Sequence, residues 1–271
     1  MPVYNFSAGP AILPKSVLKE AAQALVDWKG TGLSVLSVSH RSDLFTQVVK
    51  DLHHDYRGLL NIPDTHDVLL MHGGASAQFS AVPMNVRTDN KACTYVDNGF
   101  WSKLAIAEAQ KYRDVTVVST GIEAAKGDWV IPDNAAYVHY TMNETIDGIE
   151  MFDVPDVGDV PLVCDMSSNI LSRPIDVSKF GLIYAGAQKN IGPDGVTFVI
   201  IRKDLMGKSV TNTPTLFDYQ AVYEKDSMPN TPCTFAWYMA GLMFKWLKAQ
   251  GGLDVMEQRN IEKSKLLYGC I

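Results

Sequence analysis

Apolar residues recur at two periods along the chain, and the change of period divides it. Val17, Leu18, Ala21, Leu25 and Trp28 repeat at the spacing of one helical face, with Pro14 at a helix start and Gly30 placed to cap its end. Leu44, Val48, Leu52, Tyr56 and Leu59 do the same from about Asp43, and the turn residues of NIPDTHD close that second helix. Short β-rich runs then take over: DVLLMH, ACTYVD, VTVVST, AYVHYT, PLVCD, LIYAG and TFVIIR. Helical or irregular stretches such as ASAQFSAVPMN and FWSKLAIAEAQKY separate them. Strands alternating with helices predict an α/β fold, a mainly parallel seven-stranded sheet covered by helices on both faces. FAWYMAGLMFKWLKAQ and LDVMEQRNIEKSKLLYGCI read as two final helices separated by Gly251 and Gly252. The expected organisation is an N-terminal segment over 1–14, one large α/β domain over 15–252, and a helix over 253–271.

With 271 residues, 46% of them apolar, the chain can bury a sizeable core. Thirty acidic against 24 basic residues leave a formal charge of -6, with no dense Lys/Arg tract. That balance predicts a small-molecule substrate, and neither nucleic acid nor an anionic membrane as partner. MPVYNFSAGPAILPK lacks a basic stretch followed by an apolar one, and no apolar run approaches membrane-spanning length, so a cytoplasmic location is expected. Cys93, Cys164, Cys233 and Cys270 form no CxxC pair and read as buried reduced thiols.

Function in sheets of this kind gathers at the carboxyl ends of strands. Gly73 and Gly74 lie between a strand and a helix, where free amides and the positive helix terminus can hold a phosphate; Gly-Gly there is more often merely a turn. Trp101 in DNGFWSK can stack on a planar heterocycle or serve as a core aromatic. Thr145 in HYTMNETIDG can donate to a ring hydroxyl or sit in a plain turn. Asp165 and Lys189 each end a run that should be buried on both faces, where an unpaired charge is costly. They either pair with each other or serve a cofactor, Asp165 holding a pyridinium nitrogen and Lys189 forming a Schiff base with an aldehyde. Gly192, Pro193 and Gly195 let the backbone turn tightly after the lysine.

FSAGPAILP, SVSHRS, HGGASAQF, HYTMNETIDG, CDMSSNILSRPIDVSKFGLIYAGAQKNIGP and MPNTPCTFAWY together resemble the phosphoserine aminotransferases. These are class V enzymes of fold type I that use pyridoxal phosphate. The resemblance implies that Lys189 carries the cofactor, Asp165 pairs with its pyridinium, Trp101 stacks on the ring and Thr145 bonds its hydroxyl. It puts Ala75, Ser76 and Gln188 on the cofactor phosphate. Asn230 and Thr231 of PNTP would reach the phosphate in the other subunit of a homodimer with shared active sites. His40 and Arg41 would bind substrate oxyanions, for which a guanidinium fork is suited. Many members carry arginine where this chain has Ser76. Members also continue into a small C-terminal domain bearing further substrate-binding residues, toward which 253–271 would lead and which this sequence does not include.

The implied reaction passes the amino group between L-glutamate and 3-phosphohydroxypyruvate, giving O-phospho-L-serine and 2-oxoglutarate in serine biosynthesis. A phosphorylated threonine analogue in vitamin B6 synthesis is a second substrate in view. Three rivals compete with it. A cysteine desulfurase of the same fold would, by family resemblance, place histidines on the ring and before the lysine, where this chain has Trp101 and Gln188. A dinucleotide-dependent dehydrogenase would need a GxGxxG fingerprint, and none occurs. A cofactor-binding fragment with weak or no catalysis is the third. No metal is expected, since His53 and His54 point apart on a helix and His66, His72 and His139 lack ligand spacing.

Overall fold

The computed structural model describes residues 4–86 and 91–271. Two helices come first, α1 (Lys15–Val26) and α2 (Asp43–Leu60). Then follow β1 (His66–Met71), α3 (Gly74–Asn85), β2 (Ala92–Asp97), α4 (Phe100–Ala109), β3 (Val115–Thr120), the single turn α5 (Gly121–Ala124) and β4 (Ala135–Thr141). A small hairpin of β5 (Asn143–Glu144) and β6 (Ile149–Glu150) precedes β7 (Leu162–Asp165), β8 (Leu182–Gly186) and β9 (Thr197–Arg202). The last helices are α6 (Tyr219–Tyr223), α7 (Thr234–Ala249) and α8 (Gly252–Tyr268).

Seven strands form one sheet in the order β1-β9-β8-β7-β4-β2-β3. Only β9 runs against its neighbours β1 and β8; the other pairs are parallel. The carboxyl ends of the six remaining strands therefore share one edge. The register places Thr141 opposite Asp165, and Asp165 opposite Tyr184, at that edge. β4, β7 and β8 are buried along their whole length, which is why their sequences read as continuous apolar runs.

Two apolar layers sandwich the sheet. On one face Phe45, Leu52 and Tyr56 of α2 and Trp237 and Phe244 of α7 pack on Val138, Tyr140, Ile183, Phe198 and Ile200. On the other, Phe79 and Val82 of α3, Ile106 of α4 and Tyr219 of α6 cover Tyr137, Val163, Leu182, Tyr184 and Val199. α1 packs outside α7 as a third layer.

The helical faces differ from those expected. α1 buries Val17, Ala21 and Ala24, and leaves Leu18 and Leu25 exposed, because its small residues allow close approach to Tyr238, Met239 and Leu242 of α7. α1 stops at Val26, so Gly30 is not its cap: Asp27 turns extended and its Oδ1 accepts from Gly32 N at 2.8 Å. α2 buries Phe45, Val49, Leu52, Tyr56 and Leu60 and exposes Leu44. Aromatic partners decide that rotation, with Tyr56 stacked 5.1 Å from Phe244 and Phe45 tilted against Trp237 at 6.4 Å. Ser42 caps α2, accepting from Phe45 N at 3.3 Å.

The cysteines also divide. Cys93 and Cys164 are buried in strands, whereas Cys233 and Cys270 are exposed, at the start of α7 and after α8, where no sheet covers them. All four are free thiols. No described helix is long and apolar enough to cross a membrane.

Candidate active site

At the shared strand edge a cleft opens, lined by residues from five segments. Gly74, Ala75, Ser76 and Phe79 come from α3, Trp101 from α4, Thr141 and Asn143 from β4 and β5, Asp165, Ser167 and Ser168 from the end of β7, and Gln188 and Lys189 from the turn after β8. Its empty volume, mouth included, is about 560 Å³. A cleft with more empty space, about 1180 Å³, lies between α2 and β1, but its cations and carboxylates pair with one another, Arg57 with Asp64 at 3.8 Å and Lys203 with Asp67 at 4.0 Å. Chemistry, rather than size, selects the strand-edge cleft.

Asp165 sits at the buried end, 6% exposed, with Oδ1 accepting from Ser167 N at 2.8 Å. Burial raises its carboxyl to about 6, and the charge of nearby Glu144 adds to the rise; hydrogen bonds from Ser167 and Tyr184 work the other way. Beneath the floor, His139 stacks on Tyr95 at 4.7 Å and on Tyr184 at 5.9 Å, with Nε2 2.8 Å from the Tyr184 hydroxyl. Burial pushes this imidazole down to about 3, so it stays neutral and carries no charge to Asp165.

Lys189 is half-buried and forms no ion pair with Asp165; its Nζ donates to Ala8 C=O at 3.4 Å. The alternative of a salt bridge between the two is thereby removed. The turn holding the lysine is tight, with Gly192 N donating to Ala187 C=O at 2.9 Å and Asn190 Nδ2 to Ile170 C=O at 2.6 Å. Ala11 N donates to Gln188 C=O at 2.9 Å, tying the N-terminal segment across the turn. Gly9 is needed for this approach, since a Cβ there would stand 2.9 Å from Lys189 Cδ and 3.1 Å from Nζ.

The polar groups that remain unmatched fit a phosphorylated pyridine aldehyde. Asp165 is a buried carboxylate without a cation among the described residues, and Thr141 Oγ1, which lines the cleft, is buried there without a hydrogen-bond partner. The first amides of α3 open onto the same space, and Gly73 and Gly74, both at positive φ, bring them there. The class V aminotransferase family description matches residues 3–271. A phosphoserine aminotransferase from Hahella chejuensis is 51% identical over 274 residues, covering 99% of this chain and 76% of that relative. This chain belongs to the phosphoserine aminotransferases of class V.

Solved structures agree. A phosphoserine aminotransferase from Bacillus circulans subsp. alkalophilus superposes with a TM-score of 0.95 at 42% identity, covering all of this chain and 76% of that one. One from Trichomonas vaginalis, solved with pyridoxal phosphate bound, gives 0.93 at 40% identity over 98% of this chain and 81% of that one. The aminotransferase thus has the fold type I architecture, and the class to which it belongs uses pyridoxal phosphate. The desulfurase and dehydrogenase alternatives are not favoured by these relatives.

Of the residues expected from the sequence, Ala75, Ser76, Trp101, Asp165, Gln188 and Lys189 meet in the cleft. Thr145 stands behind its wall, its Oγ1 2.6 Å from Ser168 Oγ. Asn230, Thr231 and Arg41 are exposed and His40 is half-buried; all four lie outside the lining, with His40 Nε2 and Arg41 Nε 3.3 Å apart. Thr141, Asn143, Ser167 and Ser168 line the cleft although nothing in the sequence singles them out. Their only signal is position, at or within three residues of the ends of the buried strands β4 and β7.

Proposed function

We propose that this aminotransferase moves an amino group between L-glutamate and 3-phosphohydroxypyruvate, giving O-phospho-L-serine and 2-oxoglutarate in serine biosynthesis. The observation carrying the reading is that Lys189 and Asp165 face one cleft without pairing, beside an open helix N-terminus. Bound pyridoxal phosphate supplies an aldehyde that accepts the amino group and a ring that withdraws the electron pair left by a departing α-proton. Lys189 would bind that aldehyde and, once displaced by the amino donor, its Nζ would take the α-proton and return it at the other carbon. Asp165 would hold a proton on the ring nitrogen, gaining the cation its buried carboxylate lacks. Trp101 would shield one face of the ring from water, and Thr145 with Ser168 would bind its hydroxyl.

The amides of Gly74, Ala75 and Ser76, with Gln188, would receive the cofactor phosphate at the start of α3. Gly73 holds that terminus open: its φ is +89°, and a Cβ would fall 2.5 Å from Ala77 Cβ. Gly73→Ala is therefore expected to weaken pyridoxal phosphate about tenfold, as a left-handed non-glycine residue costs ~1–2 kcal/mol. Absorbance titration checks this, and unchanged affinity would remove α3 from the phosphate site.

His40 and Arg41 would bind substrate oxyanions, and Asn230 and Thr231 would complete the phosphate site of a second subunit. Their position outside their own chain's cleft, with Arg41, Asn230 and Thr231 exposed, supports a homodimer with shared sites. Buried free thiols at Cys93 and Cys164 suit a reducing cytoplasm. The test is to supply O-phospho-L-serine and 2-oxoglutarate with pyridoxal phosphate and measure glutamate by mass spectrometry, with L-serine and L-cysteine as rival donors. Glutamate formed mainly from the phosphorylated donor supports the reading; equal use of L-serine, or sulfide released from cysteine, overturns it.

A further inference from the structure

Two helices of eight or more residues begin at the cleft, and their N-termini are treated differently. At α3 the amides of Ala75 and Ser76 have no partner among the described residues. At α4 each of the first three amides is taken by a carboxylate from the β5–β6 hairpin. Phe100 N donates to Asp147 Oδ2 at 2.9 Å, Trp101 N to Glu144 Oε2 at 2.8 Å, and Ser102 N to Glu144 Oε1 at 2.7 Å. Glu144 is fully buried, yet the described residues offer it no cation; the α4 amides and helix dipole are what compensate its charge.

The approach is close. A Cβ on Gly99 would fall 2.5 Å from Glu144 Cγ and 2.6 Å from both Glu144 Cδ and Asp147 Oδ2. Gly99 N in turn donates to Ser102 Oγ at 2.9 Å, closing the first turn. The far end of the hairpin is anchored too, since Arg173 pairs with Glu150 and Asn169 Nδ2 donates to Glu150 at 3.2 Å. Thr145, the next residue after Glu144, bonds Ser168, a residue that lines the cleft.

We propose that Glu144 is a positioning residue: by gripping the amides of Trp101 and Ser102 it sets the indole at the cleft wall and locks it to Thr145 in one rigid unit. A consequence is that the positive end of α4 is occupied by the protein's own carboxylates, leaving α3 as the terminus open to a phosphate. The inference rests on the reading of Trp101 as the ring-stacking face.

Glu144→Gln and Gly99→Ala test it by different routes, one weakening the acceptor and the other displacing it. In cofactor-free protein, amide hydrogen exchange at Trp101 and Ser102 is expected to speed at least about tenfold in both variants while β8 is unaffected. With pyridoxal phosphate added, both should bind it about tenfold more weakly and show a reduced circular dichroism band from the bound cofactor, which reports ring orientation. Glu144→Asp, which keeps the charge but shortens the reach, should fall between Glu144→Gln and wild type. Wild-type exchange at both amides in Glu144→Gln, or fast exchange with an unchanged cofactor band, would overturn the proposal. Trp101→Leu, which removes the aromatic face, separates the two claims: an unaltered affinity and band in that variant would sink the stacking reading, while the exchange rates still judge the grip of Glu144.

Discussion

Lys189→Ala is expected to abolish transamination, with a fall in kcat on the order of 10⁴-fold or more, because one amine serves as both the attachment point and the proton carrier. The fold should survive. Lys189 is half-buried, forms no ion pair among the described residues, and its one side-chain hydrogen bond there is a 3.4 Å contact to Ala8 C=O. Removing it therefore leaves no buried polar group stranded, and the thermal midpoint of the cofactor-free protein should stay close to that of wild type. Absorption spectroscopy provides the check. Wild type with pyridoxal phosphate should show a visible band that glutamate converts, and Lys189→Ala should show neither the band nor the conversion. A lysine-dependent band that ignores glutamate would mean that this chain binds the cofactor without completing the amino-donor site, and retention of turnover in the variant would exclude Lys189 from the chemistry.

Asp165→Asn should move stability and activity in opposite directions. In the cofactor-free fold the carboxyl is held near 6, above the ordinary value of 3.8, chiefly by burial. An acid whose folded value is raised favours the folded state only while it is protonated. The unfolded chain ionises freely from 3.8 upward, so the penalty on the folded state grows as pH rises from about 4 through 6 and is complete above 7. The gap between 3.8 and about 6 is worth about 3 kcal/mol at most. The asparagine amide keeps an acceptor for Ser167 N but buries an extra donor, which reduces the expected gain to about 1–2 kcal/mol. Urea unfolding of cofactor-free protein should thus find Asp165→Asn more stable than wild type at pH 8 and similar to it at pH 4. With cofactor and substrates the order reverses, because the neutral amide cannot hold a proton on the ring nitrogen; kcat should drop about 10²- to 10³-fold. A variant that is less stable at pH 8, or fully active, would show that Asp165 is a structural carboxylate.

Much of this molecule is legible without its structure. ACTYVD, VTVVST, LIYAG and TFVIIR coincide with β2, β3, β8 and β9 residue for residue, because three of these strands are largely buried and a strand covered on both faces has little room for polar residues. Asp165 and Lys189 stand out for the same reason, as charges placed where apolar runs end. The helical faces are harder. Leu18 and Leu25 in α1 and Leu44 in α2 are as apolar as the residues that pack, and only the position of α7 decides which side is covered.

Within the site, the division follows the range of the interaction. His40, Arg41, Asn230 and Thr231 are named through the family's motifs, and the single chain leaves them outside the cleft. Thr141, Ser167 and Ser168 look like turn formers, and Glu144 in NETIDG looks like a solvated turn acid until α4 buries it. The sequence by itself determined the seven strands of the main sheet, the longer helices, the α/β class and the two charged strand ends, since those depend on local propensity and on burial that repeats every two or 3.6 residues. The tertiary structure alone decided which strand ends are neighbours and which helix terminus is plugged. Strand order and helix docking are settled by contacts between residues far apart in the chain, such as Trp101 with Glu144 and Thr145 with Ser168, and no local pattern carries that information.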